Sequence, residues 1–314
     1  MRPIANSILE EIEKVIVGKR SVLERVLLAL LAGGHILLDD VPGVGKTTLA
    51  VTLGRAVGLA CRRVQCSPDL LPSDLTGFTV YDRDSGSFVF KPGALQDTHL
   101  LLADEINRAS SRTQSALLEA MEEKQVTVDG ITYPLQEPFL VIATENSVGT
   151  AGTQPLPFAQ MDRFLMRLSL GYPDYEPQMA MLRNRQQGNP LSAVTPVVSR
   201  EDFLGMQREV ARVTCRDSIL DYITRLTMAS REQAGLGPGI SPRGALFLDR
   251  AAKAHAWLED RDYVTGADVQ AVFPDVCAHR VLLSPRAAEE GATVQDALRR
   301  LLETVETSDH RRGI

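Results

Sequence analysis

The stretch Asp40-Val41-Pro42-Gly43-Val44-Gly45-Lys46-Thr47-Thr48 directly follows the apolar run Ile36-Leu37-Leu38. This order reads as a buried strand, a glycine-bearing loop and then a helix. Glycines at 43 and 45 let successive backbone N–H groups converge on phosphate oxygens, where a side chain would block the approach. Lys46 brings a mobile ammonium to the β- and γ-phosphates and Thr47 a hydroxyl for Mg²⁺, while the helix that begins there aims its positive end at the same anion. Asp40 stands where the formal pattern asks for a glycine six residues before the lysine, but Pro42 and Gly43 can still turn the chain.

Five short apolar runs, at 36–39, 62–66, 100–104, 139–144 and 164–169, are separated in several places by helical patterns. Near-continuous apolar strands alternating with helices predict an α/β fold: a parallel sheet sandwiched by helices. After Tyr172-Pro173 the strand signal fades. Ser199 with Asp202, Thr265 with Asp268 and Thr293 with Asp296 have capping-box spacing, and Ser241-Pro242 reads as an N-cap and first helical residue. The expected division is therefore a nucleotide-binding domain over 1–172 and a small all-helical domain over 173–314. Two hairpins interrupt the first domain, one at about 77–92 and one at about 125–133 around Asp129-Gly130. Each reads either as an ordinary edge hairpin or as a loop that faces a substrate.

At 314 residues, 44% hydrophobic and 24% charged, the chain can bury a large core. Its longest apolar run, from Val26 to Leu38, is broken by Gly33, Gly34 and His35 and falls short of the ~20 residues of a membrane helix. The N-terminus has no signal-sequence pattern, so a cytoplasmic location is expected. Cys61, Cys66, Cys215 and Cys277 lack paired CxxC spacing and read as buried free thiols. A net charge of −6 argues against a nucleic-acid partner and favours protein partners.

The run His99-Leu100-Leu101-Leu102-Ala103-Asp104-Glu105 is a buried strand delivering two carboxylates to the sheet edge where α/β ligands bind. Asp104 can hold Mg²⁺, and Glu105 can take a proton from water attacking a γ-phosphate. Without a phosphate loop upstream, the same pair would read as a solvated strand end.

The chain resembles the AAA+ ATPases and, within them, the MoxR group. Beyond the phosphate loop, the match rests on LLADEINRA at 101–109, QSALLEAM at 114–121, Gln125-Val126-Thr127, AQMDRF at 159–164 and Ser241-Pro242-Arg243. The resemblance implies an AAA+ P-loop domain followed by a helical lid. It implies that Lys46 and Thr47 are the Walker A lysine and Mg²⁺-binding hydroxyl, and Asp104 and Glu105 the Walker B pair. Asn146 would be the sensor 1 residue, Arg163 an arginine finger acting on a neighbour's ATP, and Arg243 the sensor 2 arginine of the lid. Val17 and Gly18, in Val15-Ile16-Val17-Gly18, would line the adenine pocket beside the loop residues Pro42, Gly43, Val44, Gly45 and Thr48. Arg108 is a further candidate for an intersubunit or phosphate contact.

The family pattern implies a Mg²⁺-dependent ATP phosphohydrolase assembled as a homo-oligomeric ring, usually a hexamer, that remodels or activates protein complexes in a chaperone-like way. Relatives commonly work with von Willebrand factor A domain proteins. Two other readings are a magnesium-chelatase-like or nucleic-acid motor subunit, and an ATP-dependent scaffold that does not hydrolyse. Glu145 and Ser147 depart from the Gln and Pro common around the sensor Asn, and Lys91-Pro92-Gly93-Ala94 departs from the usual Gly-Pro-Ile order.

Overall fold

The computed structural model describes residues 1–145 and 156–307. The chain opens with helices α1 (Pro3–Glu13) and α2 (Arg20–Leu31), then strand β1 (Ile36–Asp39) and α3 (Lys46–Ala56). Strand β2 (Cys61–Gln65), the short α4 (Pro72–Thr76) and the hairpin β3–β4 (Phe78–Asp82, Ser87–Lys91) follow. Next come β5 (Leu100–Asp104), α5 (Ser111–Glu123), the hairpin β6–β7 (Gln125–Val128, Ile131–Pro134) and β8 (Leu140–Glu145). The short α6 (Phe158–Met161) and β9 (Met166–Leu168) complete the strands.

The five long-range strands form one sheet in the order β2-β5-β8-β1-β9, every pairing parallel. Alternate residues serve opposite faces, as the two-residue strand period requires. Ile36 and Leu38, Leu100 and Leu102, and Leu140 and Ile142 join the core that holds α1, α2 and α3. Leu37, Leu101 and Ala103, and Val141 and Ala143 join the core under α5. Both faces are thus covered, which is why the strands read as unbroken apolar runs. All five strand positions agree with the sequence reading to within two residues at either end.

The remaining elements are helical: α7 (Tyr175–Gln187), α8 (Arg200–Arg212), α9 (Asp217–Glu232), α10 (Pro242–Leu258), α11 (Gly266–Cys277), α12 (Pro285–Glu289) and α13 (Val294–Thr304). Their starts carry the expected chemistry. Ser199 and Asp202 form a reciprocal capping box at α8, as do Thr265 and Asp268 at α11. Ser241 and Thr293 accept from the third residue of α10 and α13. This helical half is not a detached lid: Trp257, Phe203, Tyr222 and Phe273 share one continuous core with α2 and β1. Arg250 fastens the contact by donating to the carbonyls of Ala32 and Gly33 at the end of α2.

Both hairpins form at the expected places, and Phe90 of one stacks on Tyr133 of the other with ring centroids 4.0 Å apart. The four cysteines are free thiols; Cys66 and Cys277 are buried, whereas Cys61 and Cys215 are only half-buried. Among the described residues, no helix is long and apolar enough to cross a membrane.

Candidate active site

At the C-terminal edge of β1 the chain enters the 41–45 loop, and α3 starts at Lys46. Gly43 and Gly45 have φ of +86° and +96°, and a Cβ on either would meet no atom within 4 Å. Their constraint is therefore conformational, and the space they face is open for a ligand. Lys46 Nζ is buried and donates to the carbonyls of Asp40 at 2.8 Å and Glu145 at 3.1 Å. Burial pulls its pKa below the ordinary lysine value, against the carboxylates of Asp40, Asp104, Asp39 and Glu105, which favour the charged form.

β5 ends beside this loop. Thr47 Oγ1 donates to Asp104 Oδ2 at 3.1 Å, and Thr144 of β8 donates to Oδ1 at 2.6 Å. Arg63 of β2 adds two bonds to Oδ2, at 3.1 and 2.8 Å. Burial pushes the Asp104 carboxyl up, but hydrogen bonds from Thr144, Arg63 and Thr47 outweigh it and hold the group below the usual carboxylate range. Glu105 sits in the left-handed region at φ 57°, with its N–H on Thr144 Oγ1 at 2.8 Å. Such a conformation costs about 1–2 kcal/mol for a residue with a Cβ and turns the side chain off the strand line. Its Oε2 accepts from Gln65 at 3.1 Å and Arg108 at 3.0 Å. Arg108 is thereby placed on Glu105.

Two cavities meet at the loop. One, of about 310 Å³, is walled by Pro42, Gly43, Gly45, Lys46, Thr47, Thr48, Asp104 and Glu105. The other, about 480 Å³ and mostly apolar, reaches from Val44 past Val15, Ile16 and Val17 to the linker Leu170-Gly171-Tyr172-Pro173 and α7. Gly18 does not line it; a Cβ there would lie 2.3 Å from Pro177 Cγ, so its role is a close approach to α7 at φ +74°.

Arg163 and Arg243 lie elsewhere. Leu165 N–H donates to His35 O at 2.8 Å and Met166 is in register with Ile36, which puts Arg163 at the N-terminal edge of the sheet. The phosphate loop leaves the opposite edge, on the order of 10 Å of strand away at ~3.3 Å per residue. There Arg163 Nε donates to Glu122 Oε2 at 2.9 Å, and Arg243 donates to the other oxygen of the same carboxylate. Arg163, burial and Arg243 act on Glu122 together, and the arginines prevail, holding its carboxyl below the usual range. The pair is anchored from behind. Asp162 accepts from Ser241, the N-cap of the helix that carries Arg243, and from Arg280 Nε at 2.9 Å. Arg280 is 1% exposed and also donates to the carbonyls of Asp162, Phe164, Leu165 and Val276.

The sequence reading thus placed Lys46, Thr47, Asp104 and Glu105 at one centre, and the structure brings them together. Arg243 is not at the chain's own loop, although a lid residue is expected there on the family pattern; the shared core keeps its helix at the far edge. Asn146 lies outside the described residues. Arg63, Gln65, Glu122 and Arg280 were missed, although Gln65 ends a strand at the same edge as Asp104 and could have been found by that rule.

The fold and this loop define a P-loop ATPase of the AAA class. The family model described as "ATPase family associated with various cellular activities (AAA)" matches residues 35–166, and the AAA lid domain matches 228–301. The chain is 43% identical to uncharacterized protein YeaC of Bacillus subtilis, over 100% of this chain and 98% of that one. It is 38% identical to chaperone MoxR1 of Mycobacterium tuberculosis, over 94% of this chain and 80% of that one. A crystal structure of a candidate ATPase from Cytophaga hutchinsonii superposes with a TM-score of 0.89 at 39% identity, covering 97% and 96% of the two chains. The chain belongs to the MoxR-type AAA+ ATPase family.

Proposed function

We propose that this chain is a Mg²⁺-dependent ATP phosphohydrolase whose active site is completed by a neighbouring copy in a cytoplasmic ring, of hexameric size in this family, and that its turnover remodels protein complexes. The observation that carries the reading is the arginine pair, Arg163 and Arg243, held on Glu122 at the sheet edge opposite the phosphate loop. Two guanidiniums presented there cannot serve the chain's own γ-phosphate, but a neighbour stacked edge to edge would receive them. Stabilising charge on the transferring phosphoryl group from such a position is worth orders of magnitude in rate.

Within one protomer, Lys46 would shift from the carbonyls of Asp40 and Glu145 to the β/γ-phosphates, and Glu105 would accept the proton of the attacking water once released from Gln65 and Arg108. Asn146 we assign to positioning that water. The hydroxyl of Thr47 and the carboxylate of Asp104, both hard oxygen donors, fit a divalent cation. Phosphate oxygens and water would fill the remaining positions, as Mg²⁺ favours. When bound, Mg²⁺ would neutralise charge between the phosphates. Val17, with the linker and α7, would enclose the adenine, and the boundary between the nucleotide domain and the lid would fall at 172/173.

The stacked hairpins carry exposed Tyr81, Phe88 and Ile131 and are the surface assigned to substrate or partner. A von Willebrand factor A domain protein is the partner class the family resemblance favours. Glu105→Gln tests the chemistry: ATP binding should persist while phosphate release falls by roughly 10²–10⁴. Undiminished release would remove Glu105 from its role.

A further inference from the structure

A glycine at position 40 would be enough to turn the loop, so the aspartate there calls for its own explanation. Its side chain is buried and must be satisfied. Oδ2 accepts from the N–H of Leu170 at 2.5 Å, the N–H of Gly171 at 2.8 Å and the hydroxyl of Ser169 at 3.1 Å; Oδ1 accepts from Val41 N–H at 3.1 Å. Its carbonyl meanwhile receives Lys46 Nζ at 2.8 Å. The main chain of Asp40 therefore belongs to the phosphate loop and its carboxylate to the linker beyond β9. That linker is one wall of the apolar cavity.

We propose that Asp40 is a positioning residue that fixes the base-side wall of the nucleotide site to the phosphate loop, so that base and phosphates are read by one rigid unit. The proposal rests on the reading of the two cavities as one ATP site. β9 ends at Leu168, and the amides of Leu170 and Gly171 beyond it turn toward Asp40 instead of continuing a strand ladder. Charge-assisted bonds from two successive N–H groups to one carboxylate oxygen set the direction in which the chain leaves the sheet. Lys19 Nζ adds a second tether at Tyr172 O, 2.7 Å away, whereas Asp40 joins the linker to the loop. Without the carboxylate the loop retains its glycines, Lys46 and Thr47, whereas the wall loses its fixed place.

The phosphate grip and the base contribution can be separated by titrating the full chain with ATP and with inorganic tripolyphosphate, each with Mg²⁺, by calorimetry. For Asp40→Gly, tripolyphosphate affinity should stay within about threefold of wild type while ATP affinity falls about tenfold or more, the loss of roughly one charge-assisted hydrogen bond. Asp40→Asn keeps one acceptor oxygen for the two amides and should fall between; it carries the test if the glycine variant does not fold. Equal losses for both ligands would mean that the carboxylate acts on the loop, and no loss for either ligand would mean that the wall stands without it. Either result overturns the tether alone. A wild-type protein with no preference for ATP over tripolyphosphate would overturn the base-cavity reading and the tether with it.

Discussion

Replacing Arg280 by methionine separates what holds the arginine pair in place from what binds nucleotide. The guanidinium is 1% exposed, bonds Asp162 Oδ1 at 2.9 Å and Leu165 O at 3.2 Å, and donates to three further carbonyls. Methionine keeps most of the stem volume and removes every donor. Breaking a buried ion pair from one side costs about 3–5 kcal/mol, and an orphaned carbonyl about 1–3 kcal/mol more. Two relays soften this: Ser241 still donates to Asp162, and His279 Nε2 lies 3.0 Å from Phe164 O. A net loss of about 4 kcal/mol is therefore expected, which at ~2–4 °C per kcal/mol lowers Tm by about 10 °C. The more specific consequence is kinetic. Asp162 and Phe164 flank Arg163, so loosening them should cut kcat well below the folded fraction, while ATP affinity, set at the opposite sheet edge, stays within a few-fold. Thermal unfolding, ATP titration and phosphate release at a temperature where the variant is folded give the three numbers. A Tm drop under about 2 °C, or normal kcat in a destabilised variant, would refute the reasoning.

Glu145 is buried, and burial together with the Asp39 carboxylate raises its pKa above the ordinary value of 4.5. The folded state then holds a proton that the unfolded chain releases, so this group's contribution to stability falls as pH rises from 4.5 through the raised value. Glu145→Gln removes that cost, so the variant should unfold at higher temperature than wild type at pH 7–8, and the gain should vanish below about pH 4; a gain independent of pH would contradict it. Gly18→Ala forces a Cβ to within 2.3 Å of Pro177 Cγ at φ +74° and should push α7 away, raising the Kd for ATP while leaving tripolyphosphate binding alone. Equal effects on the two ligands would refute it.

Much of the nucleotide centre was legible because it is local. Strand, glycine loop, lysine and helix follow one another without a break from Ile36 to Ala56, and Asp104 and Glu105 mark the end of an equally apolar strand, so period and position announce them. The hairpins were legible through Asp129-Gly130 and paired alternation. Less visible was what long-range packing decides. Nothing in Pro242-Arg243-Gly244 states that α10 will pack on α2 and carry Arg243 to the N-terminal edge, and nothing in the run at 114–123 singles out Glu122 from Glu119 or Glu123. Arg280 looks like any solvated arginine until Asp162, Phe164 and Leu165 close over it. Asp40 could be seen as a departure, but its partners at 169–171 lie about 130 residues away.

The claim that one active site draws on two chains is tested most directly by mixing two inactive proteins. Glu105→Gln retains its arginine pair, and Arg163→Ala retains its own loop and base. Phosphate release is measured for each alone and for the equimolar mixture after exchange of subunits. Random assembly gives about a quarter of interfaces an intact Glu105 facing an intact Arg163, so the mixture should recover a clear fraction of wild-type activity. A mixture as inactive as its two components would place Arg163 and Glu105 in the service of the same chain, and would contradict the shared site.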